Sequence, residues 1–308
     1  MDMLKTLALA EQDQPQQLDT SVMKDYGSIW DRPNYSCAFD SMFMVVFTMY
    51  RYAGLPWRQE WSGSSDFNTM TASFFDRILT ATKTPLIRSR LPSLFGMYRD
   101  RVCDHFNAIN PTDFPRFGLN IIAVSDIFVQ MCCLEGDPYL AHLESSCNDP
   151  SHQSLIKGYN LAFIFLLHKL SMAERGSSGN HPTLQLWISS YLHKLKTKRR
   201  LCQMCRTHLS SSLTFTPLSW IWVDVPPAFT EPFAPSIALT FKQDSGPNIG
   251  YTLNGIIYAG QSHFSARWRD VSGAWWTYDG MVNSGRPSPE NITDVIQLTL
   301  GARGPRNQ

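Results

Sequence analysis

The stretch from Ala38 to Tyr50, Ala-Phe-Asp-Ser-Met-Phe-Met-Val-Val-Phe-Thr-Met-Tyr, is apolar on nearly every side. A buried helix fits it best, because a helix without a polar face belongs inside a core. The rest of the chain must then enclose it. With 308 residues, 43% of them hydrophobic, there is enough chain to do so, as one large domain or two small ones.

Up to about residue 200 the remaining signals are helical: Ser73–Ala81, Leu119–Cys133 and Leu184–Lys196. Arg175–Pro182 reads as a Gly/Ser/Pro loop. The character changes after Cys205. Trp220–Val225, Ser236–Phe241, Tyr251–Tyr258, His263–Arg269 and Ala274–Tyr278 are rich in aromatic and β-branched residues and are separated by turn residues, as strands are. Helices followed by an antiparallel sheet predict an α+β architecture, whose two parts can face each other across a cleft. Residues 1–25 read as a flexible polar leader and 301–308 as a loose tail, and no internal repeat is visible.

Charge is balanced, with 27 Lys plus Arg against 26 Asp plus Glu. Nothing in bulk attracts nucleic acid or an anionic membrane, so a partner must be read by local shape and chemistry. The apolar window Tyr159–Leu170 is too short to span a bilayer, and Met1–Ala10 lacks a secretory cleavage pattern. Seven irregularly spaced cysteines argue against a disulfide framework and for reduced thiols, hence a cytoplasmic or nuclear setting.

Cys37 stands at a loop-to-helix junction: Pro33-Asn34-Tyr35-Ser36 is turn-like and the apolar helix follows. A helix N-terminus offers a positive dipole end and unpaired amides, which favour a thiolate and could hold an oxyanion. A buried, inert cysteine is the competing reading. Asp270-Val-Ser-Gly273 is a turn between two strand-like runs, so these should pair as a hairpin. With the turn centred between Val271 and Ser272, facing residues have numbers summing to about 543. His263 then meets Asp279 or Gly280 across the strands. A carboxylate there would fix the imidazole tautomer and stabilise the imidazolium formed when a thiol is deprotonated. A surface or capped core histidine is the alternative.

Together the two segments resemble the cysteine and histidine boxes of the ubiquitin-specific proteases (USPs), papain-like cysteine peptidases. The first box appears as Cys37-Ala-Phe-Asp40-Ser41. The second appears as Tyr251-Thr-Leu253, Gly260, Ser262-His263-Phe264, Trp275-Trp276 and Tyr278-Asp279-Gly280. The resemblance spans about 50 residues, in the family's order. It implies an isopeptidase that cleaves after the C-terminal Gly-Gly of ubiquitin, with Cys37 as nucleophile, His263 as base and Asp279 orienting it. A non-catalytic module that binds such a modifier is the alternative of another class.

The departures are specific. The family's oxyanion asparagine, five residues before the nucleophile, is Arg32 here. Asn34 either takes that role or is a turn residue. Gly280 stands where the family has a second aspartate. Asp40 and Phe264 are similar to a SUMO-specific branch of the same fold, so SUMO is the alternative modifier. A ubiquitin tail carries arginines that ask for acidic partners, and Asp31, Asp40 and Asp270 are candidates.

The family fold implies a thumb over about 26–135, fingers over about 140–215 and a palm over about 216–300, within a catalytic domain of 26–300. Its fingers are braced by zinc. Cys202-Gln-Met-Cys205 has the spacing for two ligands of a tetrahedral zinc, and Cys147 with His152 is the candidate complement. His208 is another possible fourth ligand, and an incidental CxxC at a helix end is the bland reading. Adjacent Cys132 and Cys133 read as core. The expected partners are ubiquitin or a similar modifier and its conjugates, with neither nucleic acid nor membrane, and the protein is expected to be a monomer.

Overall fold

The computed structural model describes residues 26–116, 139–155, 159–162, 164–166, 183–216, 221–224, 235–244, 246–260 and 263–298. The leader 1–25, the helical signal Leu119–Cys133 with Cys132 and Cys133, the loop Arg175–Pro182 and the tail 301–308 lie outside them. The chain divides into two compact units, one of residues 1–135 and 254–291, the other of residues 136–253 and 292–308.

The first unit contains α1 (Cys37–Tyr52), α2 (Leu55–Ser62), α3 (Asp66–Thr82), α4 (Pro85–Arg88) and α5 (Leu91–Ile109). Its strands are β8 (Gly255–Gly260), β9 (His263–Arg269), β10 (Trp275–Tyr278) and β11 (Ser288–Glu290), in one antiparallel sheet ordered β11-β10-β9-β8. The apolar stretch forms α1 as expected, and nearly all of it is buried. One side packs on β8 and β9, the other on α3 and α5. Phe47 has ring centroids 5.1 Å from Phe95, 5.3 Å from Phe75 and 5.0 Å from Tyr26. Gly255 allows the helix to lie directly on the sheet: a Cβ there would sit 2.7 Å from a methyl of Val45.

The long helix α5 is not among the expected helices: its apolar residues recur at helical spacing, but Pro92 and Gly96 fall in its first turns. Pro92 sits at the start of the helix, where its missing N–H costs no hydrogen bond.

The second unit holds β1 (Tyr139–Ser146), β2 (Tyr159–Ala162), β3 (Ile164–Leu166), β4 (Ser210–Phe215), β5 (Trp222–Asp224), β6 (Ala238–Phe241), β7 (Ile249–Thr252) and α6 (Leu184–Thr197). β1 runs between β2 and β4, β6 pairs with β7, and β3 with β5 form a parallel pair. The expected order of helices first and sheet afterwards is therefore corrected, since strands already occupy 139–166. The expected strand Tyr251–Tyr258 is also two strands, broken at Leu253-Asn254 and belonging to different sheets. Short strands such as β2 and β3 gain their definition from the strand they pair with, not from local pattern. The α+β class stands.

Candidate active site and Cys/His cluster

The chain reaches Cys37 through a single tight turn. Arg32–Asn34 forms one turn of 3-10 helix, with Asn34 N–H donating to Asp31 O at 3.2 Å and Tyr35 N–H to Arg32 O at 3.3 Å. Tyr35 is left-handed, with φ 47° and ψ 47°, a conformation that a bulky residue adopts only when its surroundings impose it. α1 then begins at Cys37, which is only 3% exposed. Ser36 occupies the cap position without capping. Its hydroxyl donates to Asp40 Oδ2 at 2.6 Å and accepts from Asp31 N–H at 2.8 Å. The first-turn amides beside the thiol are thus free of a side-chain cap.

His263 opens β9, and its side chain is 24% exposed. Its Nε2 lies 2.8 Å from Asp279 Oδ1. Hydrogen bonds to Asp279 and to Cys37, working against partial burial, push the His263 pKa up to about 9. Burial pushes Asp279 upward, but the bonds from His263 and from the Met281 amide prevail and hold its carboxyl below the usual range.

The hairpin behind this contact has a different register from the expected one. Trp276 faces Trp268 and Tyr278 faces Ala266, so facing numbers sum to 544 and the turn centres on Ser272. Asp270 causes the shift. Its Oδ1 accepts from Ser272 N, Ser272 Oγ and Ala274 N at 2.9, 2.6 and 3.0 Å, which builds a three-residue loop closed by a left-handed Gly273. Asp279, just past the end of β10, therefore meets His263 diagonally instead of directly opposite.

The oxyanion candidate and the acidic candidates are placed differently from expectation. Asn34 Nδ2 donates to Asp31 Oδ2 at 2.6 Å, so this donor is engaged within the turn. Asp40 is buried with Ser36 and with Arg99, whose guanidinium lies 3.1 Å away. Burial raises its pKa, against the charge of Arg99. Asp270 is buried in the hairpin turn and also accepts from Trp276 Nε1 at 2.9 Å. Asp40 and Asp270 serve the fold from within and are not free to meet arginines, whereas Asp31 stays a quarter exposed. Arg99 itself was missed, though it had a signal: it falls on the apolar stripe Leu91, Phe95, Tyr98, Val102, Phe106 of α5, where a charge demands a buried partner.

In the second unit the structure brings together Cys147, His152, Cys202 and Cys205, whose ligand atoms all lie within 4.8 Å of one another. Cys147 Sγ is 3.5 Å from Cys205 Sγ and 3.8 Å from His152 Nδ1, which is itself 3.8 Å from Cys202 Sγ. Tetrahedral zinc requires about 3.8 Å between sulfurs and about 3.6 Å between sulfur and nitrogen, so donor set and spacing both fit. Supporting groups are in place too. Asp149 N–H donates to Cys147 Sγ at 3.4 Å, and Asp149 Oδ2 lies 3.7 Å from His152 Nε2. Hydrogen bonds from the Thr207 hydroxyl and amide hold the Cys205 thiol down at about 6, towards the ligand form. His208 is exposed, in a bridge opposite Leu201, and is not part of the group.

No protein-family profile and no curated protein sequence matches the chain. Solved structures do. A SAGA DUB module of Ubp8, Sgf11, Sus1 and Sgf73 bound to monoubiquitin superposes with a TM-score of 0.53 at 14% identity, covering 90% of this chain and 68% of that one. The chain has the USP-type fold. A yeast SAGA DUB module with a mutant Sgf73 also matches, at 11% identity over 90% of this chain and 67% of that one, but its TM-score of 0.44 carries no weight.

The matched module is bound to monoubiquitin and has several subunits, so the likeness supports neither the SUMO-specific branch nor the expectation of a monomer. Within the USP-type second box, Gly280 now has a reason. Its carbonyl accepts from Trp30 N–H at 3.1 Å, and a Cβ would stand 3.3 Å from that of Trp30. A side chain there would be tight, with the Tyr278 hydroxyl 3.2 Å from its Cβ as well. Among the described residues no helix is long and apolar enough to cross a membrane.

Proposed function

We propose that this chain is a cysteine isopeptidase that hydrolyses the bond following the C-terminal Gly-Gly of ubiquitin. The observation that carries the reading is the pairing of His263 Nε2 with Asp279 Oδ1 at 2.8 Å, in a ring whose raised pKa also reflects the Cys37 thiol at the start of α1. A module that only binds a modifier has no need for this constellation.

In the proposed reaction the Cys37 thiolate attacks the glycine carbonyl carbon while His263 holds the proton as imidazolium. The tetrahedral oxyanion is received by the uncapped amides at the start of α1. As the C–N bond breaks, His263 gives its proton to the departing lysine amine and a thioester remains. His263 then takes a proton from water, which attacks the thioester and releases the modifier carboxylate and the Cys37 thiol. Asp279 orients the ring and stabilises its charged form throughout. Cys147, His152, Cys202 and Cys205 would hold a structural zinc, which contributes folding energy to the second unit and no chemistry.

A matched pair of reporters, ubiquitin and SUMO each with a C-terminal fluorogenic amide, tests the reading. Turnover of ubiquitin is expected to exceed that of SUMO. Equal or faster SUMO cleavage would reassign the modifier, and tight binding without turnover would favour the binding module.

A further inference from the structure

Arg99 is the one charged residue on the buried face of α5, and it is 5% exposed. A buried guanidinium must find acceptors for its N–H groups, and most of those used here come from the segment that delivers the nucleophile. Nη1 donates to Ser28 Oγ at 2.9 Å, Ile29 O at 3.0 Å, Asp40 Oδ1 at 3.1 Å and Ser36 Oγ at 3.4 Å. Nε and Nη2 bond Asp100 Oδ1 at 3.0 and 2.9 Å, and Nη2 stands 3.7 Å from Asp31 Oδ2. One side chain thus grips the approach at residues 28, 29, 31 and 36, together with the first turn of α1 at residue 40.

We propose that Arg99 is a positioning residue. Through Asp40 and Ser36 it fixes the turn before Cys37, so that the first amides of α1 stay open beside the thiol.

Two local features require such a hold. Tyr35 sits in a left-handed conformation that its own side chain disfavours. Ser36 precedes the helix with helical dihedrals, φ −69° and ψ −3°, and instead of capping its hydroxyl is held by Asp40, Asp31 and Arg99. Without Arg99, Asp40 loses its buried counter-charge and the segment 28–36 loses its bonds at Ser28, Ile29 and Ser36, so the turn and the first-turn amides that it presents can shift. Those are the donors the reaction needs. Binding of the modifier body makes no use of them, so the effect belongs to kcat and not to KM. The hold on the turn is independent of the isopeptidase reading; its consequence for kcat rests on that reading.

The test compares wild type, Arg99→Met, Arg99→Lys and the neutral pair Asp40→Asn with Arg99→Gln. Each is read by kcat and KM on the ubiquitin reporter and by hydrogen exchange over residues 31–39. Arg99→Met should lower kcat on the order of 10²-fold with KM nearly unchanged and speed exchange across the turn. Arg99→Lys should recover part of both. If Arg99→Met does not fold, the neutral pair, which leaves no buried charge unpaired, carries the same two readouts. A folded variant with wild-type kcat, or with unchanged exchange over 31–39, overturns the proposal. If wild type cleaves no reporter, the isopeptidase reading fails on its own, and the exchange measurement still decides whether Arg99 holds the turn.

Discussion

Cys37 is buried at the start of α1 and in reach of a histidine whose protonated form is favoured to about pH 9. Replacing it by alanine removes the attacking group and little volume. Cys37→Ala should therefore cut turnover by about 10³-fold or more while leaving the melting temperature near that of wild type; turnover above a tenth of wild type would take Cys37 out of the reaction. The raised His263 pKa has a definite sign. A histidine whose pKa rises on folding adds stability that is fully present below its unfolded value of 6.5 and is lost as pH rises through about 9. The imidazolium partner of a thiolate is lost in the same window. The rate of Cys37 alkylation and turnover should thus show a limb near pH 9, and Asp279→Asn should move that limb downward, because the hydrogen bond to Asp279 is the largest cause of the shift. An unmoved limb would mean that Asp279 does not tune the ring. At this scale the residue types were legible, since a cysteine before an apolar helix and a histidine beside a hairpin are local patterns. The engagement of Asp40 with Arg99 was not, because that partner is brought by the fold from 59 positions away, whereas Asn34 and Asp270 are held by neighbours a few residues along the chain.

Elements were legible where one face of the chain declares itself. α1 was readable because it is apolar all round. β9 and β10 were readable because aromatic and β-branched residues flank a turn. α5 was hidden by Pro92 and Gly96, and the strands of 139–166 by their shortness and dependence on partners. The one-residue register error in the hairpin came from Asp270, whose side chain replaces a two-residue turn with a longer loop. The contact between α1 and β8 has a direct test. Gly255→Val would press methyl groups into Val45, where a Cβ already comes to 2.7 Å. It should destabilise the protein by about 1–3 kcal/mol in urea unfolding, and an unchanged midpoint would show that the helix can yield there.

On the scale of the whole molecule, the two units carry different chemistry: Cys37, His263 and Asp279 lie in one, and Cys147, His152, Cys202 and Cys205 in the other. Purified protein should carry about one equivalent of zinc, and metal-free folded protein would remove the metal reading. Cys202→Ser should lower the melting temperature, because metal binding is folding energy, while the folded variant keeps the pH profile of Cys37 alkylation. A changed profile would tie the cluster to the chemistry instead. The sequence by itself determined the α+β class, the buried helix behind Cys37 and the donor types at each site, because these follow from side-chain chemistry and from patterns a few residues long. Tertiary structure alone decided that β8–β11 join α1–α5 in one unit and that Arg99 lies against Asp40 across 59 positions of chain. The physical reason is separation: a buried charge announces that it needs a partner, but only the packed core determines which distant residue can reach it.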